Sequence, residues 1–113
     1  MEIIKEPISI ENVKSMAEKM FGNLVKAVVD EEKGIIAING ELHGDLEALL
    51  LEKGSVQKNL WGINLYPDIV GESWIEFDSM INLRPSLGNR SRGVENPELQ
   101  KRIIQIVNTL IKR

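Results

Sequence analysis

The chain has 113 residues, 42% hydrophobic and 27% charged, with a formal net charge of −3. That is the size of one domain with an ordinary core, and the acidic balance excludes polyanion binding through bulk charge. With no cysteine and one histidine, disulfides, thiolate zinc sites, a cysteine nucleophile and a multi-histidine metal site within the chain are excluded as well.

The chain opens Met1-Glu2-Ile3-Ile4-Lys5-Glu6, without the basic stretch and long apolar run of a signal peptide. No apolar run approaches the roughly 20 residues that span a bilayer. A cytoplasmic protein with no membrane partner is expected. Pro7 ends an extended lead-in, and Ser9 reads as the N-cap of a helix from about Ile10 to Phe21. Ile10, Val13, Met16, Ala17, Met20 and Phe21 recur on one face of it, and Gly22 stops it. Leu24–Asp30 and Gly34–Ile38 are β-branched runs joined by Glu31-Glu32-Lys33-Gly34, which predicts an antiparallel hairpin. Asn39-Gly40 marks a second turn or a bulge.

Asp45 reads as the cap of a short helix through Leu46, Leu49, Leu50 and Glu52, bounded by Gly44 and Gly54. Ser55–Asn59 is a connecting turn. Alternation then predicts strands over Trp61–Tyr66 and Ile75–Arg84, with Pro67–Ser73 as the loop between them. Trp61 and Trp74 stand at strand starts as core or sheet-edge anchors. Asn96 caps a final helix from Pro97 to about Lys112. The order α-β-β-(short α)-β-β-α predicts a single α+β domain over 1–113. Its two layers are a mostly antiparallel four-stranded sheet and helices on one face.

Three polar segments stand out. Arg84-Pro85-Ser86-Leu87-Gly88-Asn89-Arg90-Ser91-Arg92-Gly93 carries three arginines and no acid between a strand and a helix start. Arginine forks and glycine backbone N–H groups suit an anion, with Arg84, Asn89, Arg90, Ser91 and Arg92 as ligand-binding candidates. Glu95 and Glu98 sit at the same helix start and compete for its dipole. The same stretch also reads as a solvated connector whose arginines pair with surface carboxylates. The second segment is the outward row of the last two strands, Asn64, Tyr66, Asp78, Asn82 and Arg84. Asn64 and Asn82 extend the ligand-binding set, and Asp78 is a general-base candidate. The bland alternative is a wet sheet face.

The third segment is Glu41-Leu42-His43-Gly44-Asp45, where an extended chain points Glu41, His43 and Asp45 to one side as metal-ligand candidates. Asp45 has a competing job as helix cap. His43 and Asp78 are the catalytic candidates. A His43–carboxylate pair acting on Ser79 or Ser91 lacks any nucleophile-elbow motif.

Nearly the whole chain resembles a family of small prokaryotic proteins classed as a domain of unknown function. The resemblance rests on Lys5-Glu6-Pro7-Ile8, on Glu41–Asp45, on Leu60-Trp61-Gly62-Ile63-Asn64-Leu65-Tyr66-Pro67, on Ile75–Pro85 and on Gly88-Asn89-Arg90-Ser91-Arg92. It implies no activity, cofactor or site residue. From the residues alone, the leading function is a binding module that recognises an anionic partner through Arg84–Gly93. That partner is phosphate, a nucleotide, an RNA backbone or an acidic peptide. A small hydrolase using His43 and nearby carboxylates, with or without a metal, is the rival, so the sequence leaves enzyme status open. A homodimer formed through an exposed strand edge, without a ligand, is the third reading.

Overall fold

The computed structural model describes residues Met1–Arg113. Two short extended pieces, Glu2–Ile4 (β1) and Ile8–Ser9 (β2), precede the first helix, Ile10–Lys19 (α1). Ser9 caps α1 as its residue type predicts, its hydroxyl accepting the Asn12 N–H at 3.2 Å. Val25–Asp30 (β3) and Ile35–Gly40 (β4) form the expected hairpin, with Gly34 supplying the left-handed turn residue at φ 67°. Next come His43–Glu52 (α2), a 3₁₀ turn at Gln57–Asn59, and Leu60–Leu65 (β5). A 3₁₀ turn at Glu72–Trp74 leads into Ile75–Glu76 (β6). Two more 3₁₀ turns, Met80–Asn82 and Pro85–Leu87, precede Pro97–Leu110 (α3) and Ile111–Lys112 (β7). Asn96 caps α3, accepting the Glu98 and Leu99 N–H groups.

The architecture is α+β with a five-stranded sheet in the order β1-β4-β3-β5-β6. Every pairing within that sheet is antiparallel. The four-stranded expectation is thus corrected, because the N-terminal lead-in joins the sheet as β1. The last helix stops at Leu110 rather than near Lys112, because β7 extends to pair in parallel with β2.

The helices cover both faces of the sheet, which corrects the one-face expectation. Ala27, Val29, Ile36, Ile38 and Ile63 pack under α1 and α3, against Val13, Ile103 and Val107. Val28, Ala37 and Leu60 point the other way and pack under Leu46 and Leu50 of α2. The physical reason lies in β3 and β4. Val28-Val29 and Ile36-Ala37-Ile38 are continuous apolar runs, and a strand apolar on both sides needs a cover on both sides.

The largest departure from expectation lies beyond Ile75. The alternating run to Arg84 predicts a long strand, yet β6 holds only two residues, paired through Asn64↔Glu76 and Leu65↔Ile75. The rest of the β5 edge is closed by side chains. The Asn82 carboxamide accepts the Gly62 N–H at 2.8 Å and donates to the Gly62 carbonyl at 2.9 Å. Arg84 Nη1 donates to the Leu60 carbonyl at 2.7 Å. A primary amide thus makes the two bonds that a neighbouring peptide unit would make. Gly62 permits this, since a Cβ there would stand 2.5 Å from Ser79 Cβ. Gly62→Ala is expected to destabilise the protein by about 1–3 kcal/mol through overpacking. Adding Ser79→Gly should recover part of that loss, as read by urea denaturation of the four proteins of the cycle.

Candidate functional site

The polar residues singled out in the sequence fall into two neighbourhoods on the α2 face of the sheet. The first is built around Arg84. Its side chain is only 11% exposed and pairs with Glu47 Oε2 of α2 at 3.0 Å. The guanidinium carbon lies 5.1 Å from the Trp61 ring. Asn89, 4% exposed, is the hub of the following loop. Its Nδ2 faces the carbonyls of Asn82 and Gly93 at 2.8 Å and of Ser91 at 3.2 Å, while Oδ1 accepts the Glu95 N–H at 2.9 Å. Its backbone pairs with that of Arg84 in both directions.

Both glycine N–H groups of this loop are spent internally. That of Gly88 goes to the Pro85 carbonyl, that of Gly93 to Ser91 Oγ and that of Arg90 to Glu95 Oε2. The glycine N–H groups are therefore not the ones free to meet an anion. The three arginines part company. Arg84 is structural, Arg92 pairs with Asp78 Oδ1 at 2.6 Å, and the Arg90 side chain lies at the surface with no ion-pair partner.

Above the Arg84–Glu47 pair opens a cleft of about 410 Å³, the size of a small-ligand pocket. Lys58, Ser86, Met80, Leu83 and Leu87 line it with that pair. Met80 and Leu87 are 62% and 51% exposed, so its rim is apolar while its floor is charged.

The second neighbourhood lies at the far end of β5. Lys26, Asn64 and Glu76 are direct cross-strand neighbours on β3, β5 and β6. Asn64 Nδ2 donates to Glu76 Oε1 at 2.9 Å and to the Asp78 carbonyl at 3.2 Å. Tyr66 Oη donates to the same Glu76 oxygen at 3.1 Å. Burial and the Glu76 carboxylate raise the Tyr66 pKa, so the hydroxyl keeps its proton. The sequence row of Asn64, Asp78, Asn82 and Arg84 does share one sheet edge. Helix α2 and the turns after β6 cover much of it, so it is not the wet face of a two-layer sheet.

The matching family model, for a protein of unknown function (DUF5674), covers residues 2–110. The chain belongs to that family. No curated protein and no solved structure matches it.

In this DUF5674 chain the Glu41-His43-Asp45 trio does not assemble. Helix α2 begins at His43 with Leu42 at the N-cap, so the segment is not extended and Asp45 is not the cap. Glu41 and Asp45 are exposed. No group of three His, Cys, Asp or Glu side chains in the chain is placed to hold a metal ion. His43 turns onto β5, and its Nε2 meets the Ile63 carbonyl at 2.8 Å. A carbonyl can only accept, so the neutral ring carries its proton on Nε2 and its lone pair on Nδ1.

Sequence reasoning missed Glu47, Lys58, Gly62, Lys26 and Glu76. Lys26 carries a usable signal, being a charge inside the apolar run Val25–Val29. The roles of Glu47 and Glu76 depend on contacts that only the tertiary fold creates.

Burial lowers the His43 pKa, with Lys26 and Arg92 adding to the effect, against the Ile63 bond and Asp78. A histidine depressed in the folded state stabilises the fold above its unfolded pKa of about 6.5. That contribution is lost as pH falls from there through the folded value. Thermal melts of the wild type and His43→Gln across this window should therefore show the wild-type advantage shrinking toward acid. A constant gap would contradict the assignment.

Proposed function

We propose that this protein is a non-enzymatic binding module that takes an acidic peptide segment in the cleft over Arg84. One observation carries the reading. Arg84 and Lys58 share this cleft with Met80, Leu83 and Leu87, which are exposed large apolar side chains. Exposed apolar side chains grouped around a depression mark a surface that meets another protein. Two cations against the single Glu47 carboxylate leave the cleft locally positive on an acidic chain. Phosphate, a nucleotide phosphate or an RNA backbone would use the cations and leave the leucines and methionine bare. A peptide with alternating acidic and apolar side chains uses both. The hydrolase reading draws less support, since Asp78 is already paired with Arg92 and His43 donates its Nε2 proton to the Ile63 carbonyl.

The test is an NMR titration with a short Glu/Leu peptide, following the Met80, Leu83 and Leu87 methyl groups. Those methyls should shift together and saturate. Lys58→Glu should weaken binding by about tenfold, equivalent to ~1.4 kcal/mol. Raising the salt concentration should weaken it too, because a partly exposed charge is screened. Arg84 is left in place in this test because it also holds β5. Absence of methyl shifts at millimolar peptide, or equal shifts from inorganic phosphate, would overturn the proposal.

A further inference from the structure

The row Lys26–Asn64–Glu76 is not explained by the cleft. Asn64 is 8% exposed, and its Oδ1 is the buried side-chain polar atom without a hydrogen-bond partner. The amide orientation is fixed. Nδ2 faces two acceptors, Glu76 Oε1 and the Asp78 carbonyl, and turning the group over would set Oδ1 against both. A buried acceptor left unmatched is costly in a folded protein, and each such group calls for an explanation in strain, a bound donor or a functional role.

The two ends of the row carry opposite charges, and neither is neutralised. Lys26 and Glu76 take part in none of the ion pairs of the chain. Lys26 Nζ rests 5.1 Å from the Phe21 ring centroid. Glu76 uses Oε1 for both Asn64 and Tyr66, and Oε2 is unengaged. The charges alongside, Asp78 and Arg92, neutralise each other. A backbone irregularity sits beside the row, where the register of β3 on β4 shifts between Lys26 and Ala27 and Asn39 takes a left-handed φ of 71°. Bulges of this kind re-aim side chains and are frequent next to functional sites.

We propose that this row binds the zwitterion of a free α-amino acid. The ligand ammonium donates to Asn64 Oδ1 and Glu76 Oε2, and its carboxylate accepts from Lys26 Nζ. The order of charges along the row, cation then amide acceptor then anion, is the complement of such a ligand. Lys26 and Glu76 stand two strands apart, about 9.6 Å between backbones, so a compact ligand with adjacent ammonium and carboxylate groups suits the row better than a longer zwitterion. Oδ1 itself is closed to solvent, so entry requires a side chain to move. Lys26, the cross-strand neighbour of Asn64, is held by a contact with one aromatic face and no ion pair.

Glycine, the simplest such ligand, is the probe. In ¹⁵N-resolved NMR titrations it should move the Asn64 side-chain amide resonances saturably. N-acetylglycine lacks the ammonium, glycine methyl ester lacks the carboxylate, and 4-aminobutyrate separates the two. Each should bind at least about tenfold more weakly. Lys26→Met should weaken glycine to the level of its methyl ester. If that variant fails to fold, the comparison of the four compounds on the unaltered protein still decides. No movement of the Asn64 amide at tens of millimolar glycine would overturn the proposal, as would equal binding of the acetylated or esterified forms. The Glu/Leu peptide experiment reports on Met80, Leu83 and Leu87, so the two proposals stand or fall separately.

Discussion

The structure depends on how the outer edge of β5 is closed. A strand edge with buried N–H and C=O groups must find partners, and an unmatched group costs about 1–3 kcal/mol. Here β6 supplies partners only at Asn64 and Leu65. The remaining groups, at Leu60 and Gly62, are met by Arg84 and Asn82. Because those are side chains and not a strand, the chain after Glu76 is released from pleated geometry. It turns at Met80–Asn82 and Pro85–Leu87 and returns so that the Ser79 N–H meets the Arg92 carbonyl at 2.9 Å. Asn82 Nδ2 ties the same Arg92 carbonyl, and Asn89 then ties Asn82, Ser91 and Gly93. The polar stretch from 79 to 93 is thus one hydrogen-bonded cap over a strand edge.

That arrangement separates polarity used for folding from polarity left over. Asn82, Arg84 and Asn89 have the residue types of a ligand reader, yet their hydrogen-bonding capacity is largely committed to backbone groups. Removing a partner from a buried ion pair such as Arg84–Glu47 leaves an uncompensated charge, so these residues belong to the scaffold. What remains uncommitted is Lys58 beside the cleft, Arg90 at the surface, and the Lys26–Asn64–Glu76 row. The binding proposals rest on Lys58 and on that row, with Arg84 shared because it both braces β5 and charges the cleft floor.

Much of the fold was legible in the sequence because its signals are local. Ser9 and Asn96 cap helices through their own side chains, Gly34 turns the first hairpin, and the valine and isoleucine runs mark β3 and β4. The second helix layer was less legible. It follows from the continuous apolar runs of β3 and β4, which need a cover on both faces, whereas the strand signal of β-branched residues is the same for one covered face or two. The Ile75–Arg84 run alternates like a strand, yet Asn82 stands in for a strand partner with its side chain. Period-2 alternation cannot distinguish that from a real strand. Of the candidate site, the sequence picked out Asn64, Asp78, Asn82, Arg84 and Asn89 as residues in want of an explanation. It could not reveal that four of them satisfy backbone groups more than 6 residues away. Nor could it reveal that Lys26 and Glu76 flank Asn64, since strand register is a tertiary property.

The most direct measurement of this account is amide hydrogen exchange at Gly62, combined with urea denaturation, in the wild type and Asn82→Ala. If the Asn82 side chain closes the β5 edge, the Gly62 amide in the wild type exchanges only with global unfolding. The variant should then lose about 2–4 kcal/mol, because the Gly62 N–H and C=O are left unmatched together. Unchanged stability in Asn82→Ala, with the Gly62 amide still as protected as in the wild type, would contradict it.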